Sequence, residues 1–135
     1  RKVKPFMCGR FHLVFGMCDK EHSRLQMVCK EPRMPNCTRT LQAEAEAFCR
    51  CAAVAQHFAR RFNGDTMDKF GKLSFANVQL YRVDGTSGDL EYFVGEDYIQ
   101  GHFTKLNNNT SYVNHHEYCR HSEIAQAFSH YTYER

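Results

Sequence analysis

Three groups of residues in this chain have the types and spacing to do chemistry. Lys30 directly follows the apolar run Met27-Val28-Cys29. A lone lysine at a strand end is ordinarily a solvated edge charge. Its chemical alternative is to bind phosphate, which needs a carboxylate to fix the ammonium. Glu44 and Glu46 are the acids on the helical stretch downstream. If one faces inward it supplies that partner; if both face water they are ordinary acids matched to the helix dipole. Further on, Gly95, Glu96 and Asp97 interrupt an alternating run that starts at Leu90, Tyr92 and Val94. Acids between two apolar segments usually mark a solvated turn. The sharper reading is a hinge whose backbone and carboxylate contact a ligand.

A third group, His115, His116, Cys119, His121 and His130, invites a zinc reading, but its spacing matches no closed four-ligand site. Cys49 and Cys51, two apart on a helix, point about 200° from each other and are poorly placed to share a metal. Gly9 and Gly16 flank the first strand. Glycine there lets backbone approach a ligand, although a turn or bulge is the commoner reason.

The elements that position these residues can be read from periodicity. Phe11, Leu13 and Phe15, then Leu25, Met27 and Cys29, alternate on either side of a polar loop and predict an antiparallel hairpin. Pro32 and Pro35 break the chain, and Thr38 or Thr40 is placed to cap a helix. Leu41 to Phe62 carries apolar residues three or four apart and predicts that helix, stopped by Asn63-Gly64. Glu44 and Glu46 near its start and Arg60 and Arg61 near its end suit its dipole. Ser74 to Val83 reads as a strand, and the turn Asp84 to Asp89 joins it to the Leu90 run as a second hairpin. Ser122 reads as the N-cap of a final helix whose apolar face is Ile124, Ala127, Phe128 and Tyr131.

Composition bounds what these elements can serve. The chain has 135 residues with 42% hydrophobic content, enough for one packed core. Its net charge of +3 is scattered rather than run together, which implies no nucleic-acid or membrane partner. No leader or long apolar run is visible, and seven cysteines without a CxxC pair fit reduced thiols; a cytoplasmic location is the expectation.

In order, VCKEPR, the acid-bearing helix, GEDYIQGHFTKLNNN and AQAFSHYTYER resemble the alpha-kinase family of atypical protein kinases. The resemblance implies an α+β fold: a protein-kinase-like small lobe, an antiparallel sheet with a long helix, then a hinge and the start of the second lobe. It implies that Lys30 contacts the phosphates of ATP and that Glu44 is the helix acid supporting it, with Glu46 the alternative. Glu96 matches the hinge glutamate beside the adenine, Ile99 the position whose backbone also faces the base, and Gly9 the short nucleotide loop. His130 matches one of four ligands of a structural zinc. The family's loop arginine falls at His12, with Arg10 nearby, and Thr110-Ser111 stand where a glycine usually comes after the asparagines.

The family's D-x-Q-G aspartate, its magnesium ligands and its remaining zinc ligands lie beyond the position of Arg135. Residues 1–135 are therefore expected to be the amino-terminal portion of an alpha-type kinase domain, with no catalytic residue of their own. ATP, Mg2+ and a protein substrate are the implied partners. The competing expectation is a catalytically inactive nucleotide-binding or protein-interaction module derived from such a kinase.

Overall fold

Alternation along five short segments produces a sheet, and one long apolar stripe produces the helix that packs on it. A computed structural model describes residues 4–9, 12–18, 26–32, 38–67, 69, 71–85, 88–108, 110, 112–114 and 119–134. Its strands are β1 (Met7–Cys8), β2 (His12–Cys18), β3 (Gln26–Pro32), β4 (Val78–Asp84) and β5 (Leu90–Asp97); its helices are α1 (Thr38–Thr66) and α2 (Cys119–Tyr133). The strands form one antiparallel sheet in the order β1-β2-β3-β5-β4. Five antiparallel strands with two helices make the α+β fold expected of a kinase-like small lobe. Among the described residues, no helix is long and apolar enough to cross a membrane.

The chain divides into two compact units. The first comprises residues 1–54 and 76–99; the second comprises 55–75 and 100–135. In the first unit Met27, Val28, Cys29, Ala45 and Val94 are buried. The ladder sets Val14 and Val94 on either side of Lys30, and Gly16 and Glu96 on either side of Val28. Residues directly opposite share a face. One face of the sheet therefore carries His12, Val14, Gly16, Val28, Lys30, Val94 and Glu96. Phe48 of α1 lies over this face, meeting the His12 ring edge-on at 6.2 Å.

Several elements depart from the sequence expectation. The strand β5 runs through Gly95, Glu96 and Asp97 instead of turning there. A methyl group on residue 95 would meet Tyr81 Cε2 at 2.6 Å, so glycine leaves room for the tyrosine ring. The charge of Glu96 is matched by a lysine distant in sequence. The strand β4 begins at Val78 rather than Ser74. Phe75, ahead of it, stacks obliquely on Phe128 at 5.7 Å in the second unit.

The helix α1 also passes through Asn63-Gly64 to Thr66. Asn63 is buried and binds a distant backbone: its Nδ2 donates to Leu73 O at 2.7 Å and its Oδ1 accepts from Leu73 N at 3.0 Å. The left-handed residue that ends the helix is Met67, at φ 51°. With these bounds α1 has no acid in its first turn and no base in its last. The dipole matching of Glu44, Glu46, Arg60 and Arg61 therefore does not apply. Likewise α2 starts before Ser122, which is no N-cap: buried within the helix, its hydroxyl donates to Asn114 O at 2.6 Å. Ala127 is exposed, whereas Ile124, Phe128 and Tyr131 are half-buried.

The second unit is built on aromatic packing and side-chain hydrogen bonds. Phe62 meets Phe128 and Tyr131 edge-on at 5.6 and 5.4 Å, and the Tyr131 hydroxyl donates to Asp65 at 2.6 Å. Asn108 closes the asparagine loop, its Oδ1 accepting from Thr110 N, Thr110 Oγ1 and Tyr112 N.

Candidate functional site: a lysine and a strand-end glutamate beside a groove

Alternate residues of β3 face the same side, so Val28 and Lys30 stand in line on the face beneath α1. Glu96 lies diagonally across from Lys30 on β5, within reach of a long side chain. The lysine Nζ is 2.8 Å from Glu96 Oε1 and 2.7 Å from Oε2. The glutamate side chain is only 12% exposed and the lysine 30%, so the pair is partly withdrawn from water and less screened than a surface pair. Beneath the ammonium lies the Phe48 ring, with its centroid 5.8 Å from Nζ, a favourable position for a cation. An ammonium has three donors, so Lys30 retains capacity for a further anion after binding one carboxylate.

The helix acids take different positions. Glu44 lines the same small cavity as Lys30, together with His12, Phe48, Tyr92 and Val94. Glu46 turns to its own helix, accepting from Gln42 Nε2 at 2.9 Å and lying 3.7 Å from Arg50. Among the described residues the ion pair of Lys30 is with Glu96. Sequence spacing offered no signal for that pairing. It depends on β5 lying next to β3, a register that only the folded sheet supplies.

Two cavities flank this line of residues. The one beside Lys30 measures about 40 Å³, room for a water or two and no more. The other is an open groove of about 350 Å³ lined by Phe6, Gly16, Met17, Gln26, Met27, Val28 and Tyr98, within the size range of small-molecule sites. At Gly16 a side chain would project into open space, so the glycine leaves the groove unfilled. Tyr98 is held at its rim by a 2.9 Å bond from its N–H to Gln26 O. Val28 belongs to the groove and stands opposite Glu96 in the ladder, so groove and ion pair are neighbours.

Gly9 closes the β1–β2 hairpin, its N–H donating to His12 O at 2.8 Å; a methyl group there would meet only ordinary contact. Ile99, just past β5, is 71% exposed. Thus Gly9, Lys30, Glu44, Glu96 and Ile99 all fall in the first unit. His130 falls in the second, exposed on the last turn of α2. His115, His116, Arg10 and the Cys119 side chain lie outside the described residues. Among the described residues, no group of three His, Cys, Asp or Glu side chains is placed to hold a metal ion. One exposed imidazole does not make a zinc site, and the described residues supply no magnesium site.

The antiparallel sheet and its two helices make a kinase-like small lobe. The chain belongs to the alpha-kinase family, whose sequence model matches residues 8–135. Membership supports phosphotransfer of the kinase type, which in general uses ATP, Mg2+ and a protein substrate. No curated protein and no solved structure matches the chain.

Proposed function

We propose that this chain carries the ATP-binding part of a protein serine/threonine kinase of the alpha-kinase type. The observation that carries the reading is the line formed by the groove at Val28, the ammonium of Lys30 and the carboxylate of Glu96. The adenine enters the groove between Phe6, Gly16, Val28 and Tyr98, beside Glu96, with the backbone at Ile99 facing the base. Lys30 swings onto the phosphates, where it balances their charge while Glu96 or Glu44 fixes its position. Gly9 lies at the phosphate end, on the hairpin that closes over it.

The aspartate that accepts the substrate hydroxyl's proton and the groups that hold Mg2+ belong, on this reading, beyond Arg135. Magnesium, when bound, would supply positive charge that offsets the charge developing on the phosphates. The 135 residues alone therefore bind nucleotide without transferring phosphate at a useful rate. His130 joins a structural zinc whose other ligands also lie further along, and the setting is cytoplasmic.

Two measurements test this reading. Calorimetry should detect ATP binding to the 135-residue chain, and its failure removes the groove as a nucleotide site. In a version continued through the D-x-Q-G block, Lys30→Ala should abolish autophosphorylation; unchanged labelling removes Lys30 from the site. If ATP binds while the continued version transfers nothing, the chain is instead an inactive nucleotide-binding module.

A further inference from the structure

The strand β4 ends the sheet, with β5 on one side and, among the described residues, no strand on the other. Five of its seven residues, Gln79, Leu80, Arg82, Val83 and Asp84, are exposed. Its bonds to β5 fix which backbone groups are unused. Asp97 N donates to Asn77 O at 3.3 Å and Gly85 N to Asp89 O at 2.7 Å, both in the register that pairs β4 with β5. An antiparallel ladder alternates bonded and non-bonded levels. Gln79, Tyr81 and Val83 therefore bond to β5, and Val78, Leu80, Arg82 and Asp84 turn their N–H and C=O groups outward. The other side of β5 agrees: Tyr98 N donates to Gln26 O at 2.9 Å, which places Glu96 and Val94 in the bonds to β3.

An open edge is a template for another strand, and charge decides which one. Arg82 and Asp84 carry opposite signs two residues apart on one face of β4. Charges of a single sign would keep strands off the edge, whereas this pair is complementary to its own reversed copy. With a two-fold axis at Val83, each Arg82 stands opposite Asp84 of the second copy, their Cβ atoms about 4.5–5.5 Å apart. These residues also have the outward backbone groups, so each such pair exchanges two hydrogen bonds. Between them Val83, 39% exposed, meets its own copy at a non-bonded level, where side chains come closest. Tyr81 falls opposite Gly85, which has no side chain to clash. An axis at Arg82 would set arginine on arginine, and one at Tyr81 would set Arg82 and Asp84 opposite Leu80 and Val78.

We propose that β4 is a homodimer edge, pairing antiparallel with β4 of a second copy about Val83. Residues opposite one another share a face, so the two sheets run on as one with both Lys30 faces on the same side. This pairing does not depend on nucleotide binding.

The test is sedimentation equilibrium of the full chain under reducing conditions, which keep the exposed thiols of Cys8, Cys18 and Cys51 from linking copies. Wild type should dimerise reversibly with a Kd between about 10 µM and about 1 mM, as suits an interface one strand wide. Arg82→Asp and Asp84→Arg each set like charges opposite one another and should weaken dimerisation about tenfold. An equimolar mixture of the two should dimerise as wild type does, because every charge again meets its opposite. The double variant Arg82→Asp/Asp84→Arg, with the wild-type net charge, should do so alone. A wild type that stays monomeric over this range overturns the proposal, as do single variants that dimerise like wild type or a mixture no better than its components. Should a single variant not fold, Arg82→Pro removes only an outward N–H and should be folded and monomeric. A folded Arg82→Pro protein that dimerises like wild type, or a monomeric double variant, overturns the proposal as well.

Discussion

The two units use polar side chains in opposite ways. In the second, the Asn63 amide both donates to and accepts from the Leu73 backbone, and the Asn108 oxygen accepts three hydrogen bonds within its own loop. In the first, Lys30 and Glu96 form a charged pair beside an open groove, and the ammonium keeps donor capacity. Amides bonded to nearby backbone in this way hold a shape. An unsaturated charged pair next to empty volume is where a ligand finds unused binding capacity.

That contrast can be broken by mutation. The largest separation is expected between Lys30→Met and Asn63→Ala. Lys30→Met should weaken ATP binding at least about tenfold through loss of a charged contact. Asn63→Ala should lower stability by about 2 kcal/mol, from two lost hydrogen bonds, and leave ATP affinity unchanged. Calorimetric titration and urea unfolding read the two effects, and an Asn63→Ala protein that loses ATP as Lys30→Met does would erase the distinction.

Next in size is Gly95→Ala, which drives a methyl group into the Tyr81 ring and should cost about 1–3 kcal/mol in unfolding experiments. A neutral result would mean that Tyr81 moves aside freely. A double-mutant cycle with Lys30→Met and Glu96→Gln should then give a coupling energy of about 1–2 kcal/mol. Strict additivity would reduce the pair to a surface contact.

The smallest effect concerns the thiols of α1. Burial raises the pKa of Cys49, so less thiolate is present at any given pH, while Cys51 is exposed. Iodoacetamide labelling and peptide mass spectrometry should find Cys51 modified ahead of Cys49 at pH 8. The reverse order would place Cys49 in the more accessible setting.

Much of the scaffold is legible in the sequence because its cues are local. The alternation around Leu13 and Met27 yields β2 and β3, and the stripe from Leu41 to Phe62 yields α1. The misread positions are those whose partners are distant in the chain. Asn63 resembles a helix stop because its bond to Leu73 is invisible to periodicity. Ser122 resembles a cap because only folding brings Asn114 beside it. Glu96 resembles a turn acid because its counter-charge comes from Lys30, 66 positions away. The strand that carries Lys30 is legible from the apolar run before it. The lysine's carboxylate partner is not, since the choice among Glu44, Glu46 and Glu96 is made by strand order.

Gly95 also has an optical consequence. The close seat it gives Tyr81 lets that ring stack on Phe93 at an interplanar angle of 3°, with its hydroxyl 3.0 Å from Gln79 Oε1. The chain has no tryptophan, so nothing masks tyrosine signals in the near ultraviolet. A ring fixed this firmly on the reverse side of β5, one residue from Glu96, gives a strong circular-dichroism band. Loss of that band in Tyr81→Phe would assign it, and its change on adding nucleotide would report, without any label, that the strand carrying Glu96 has moved.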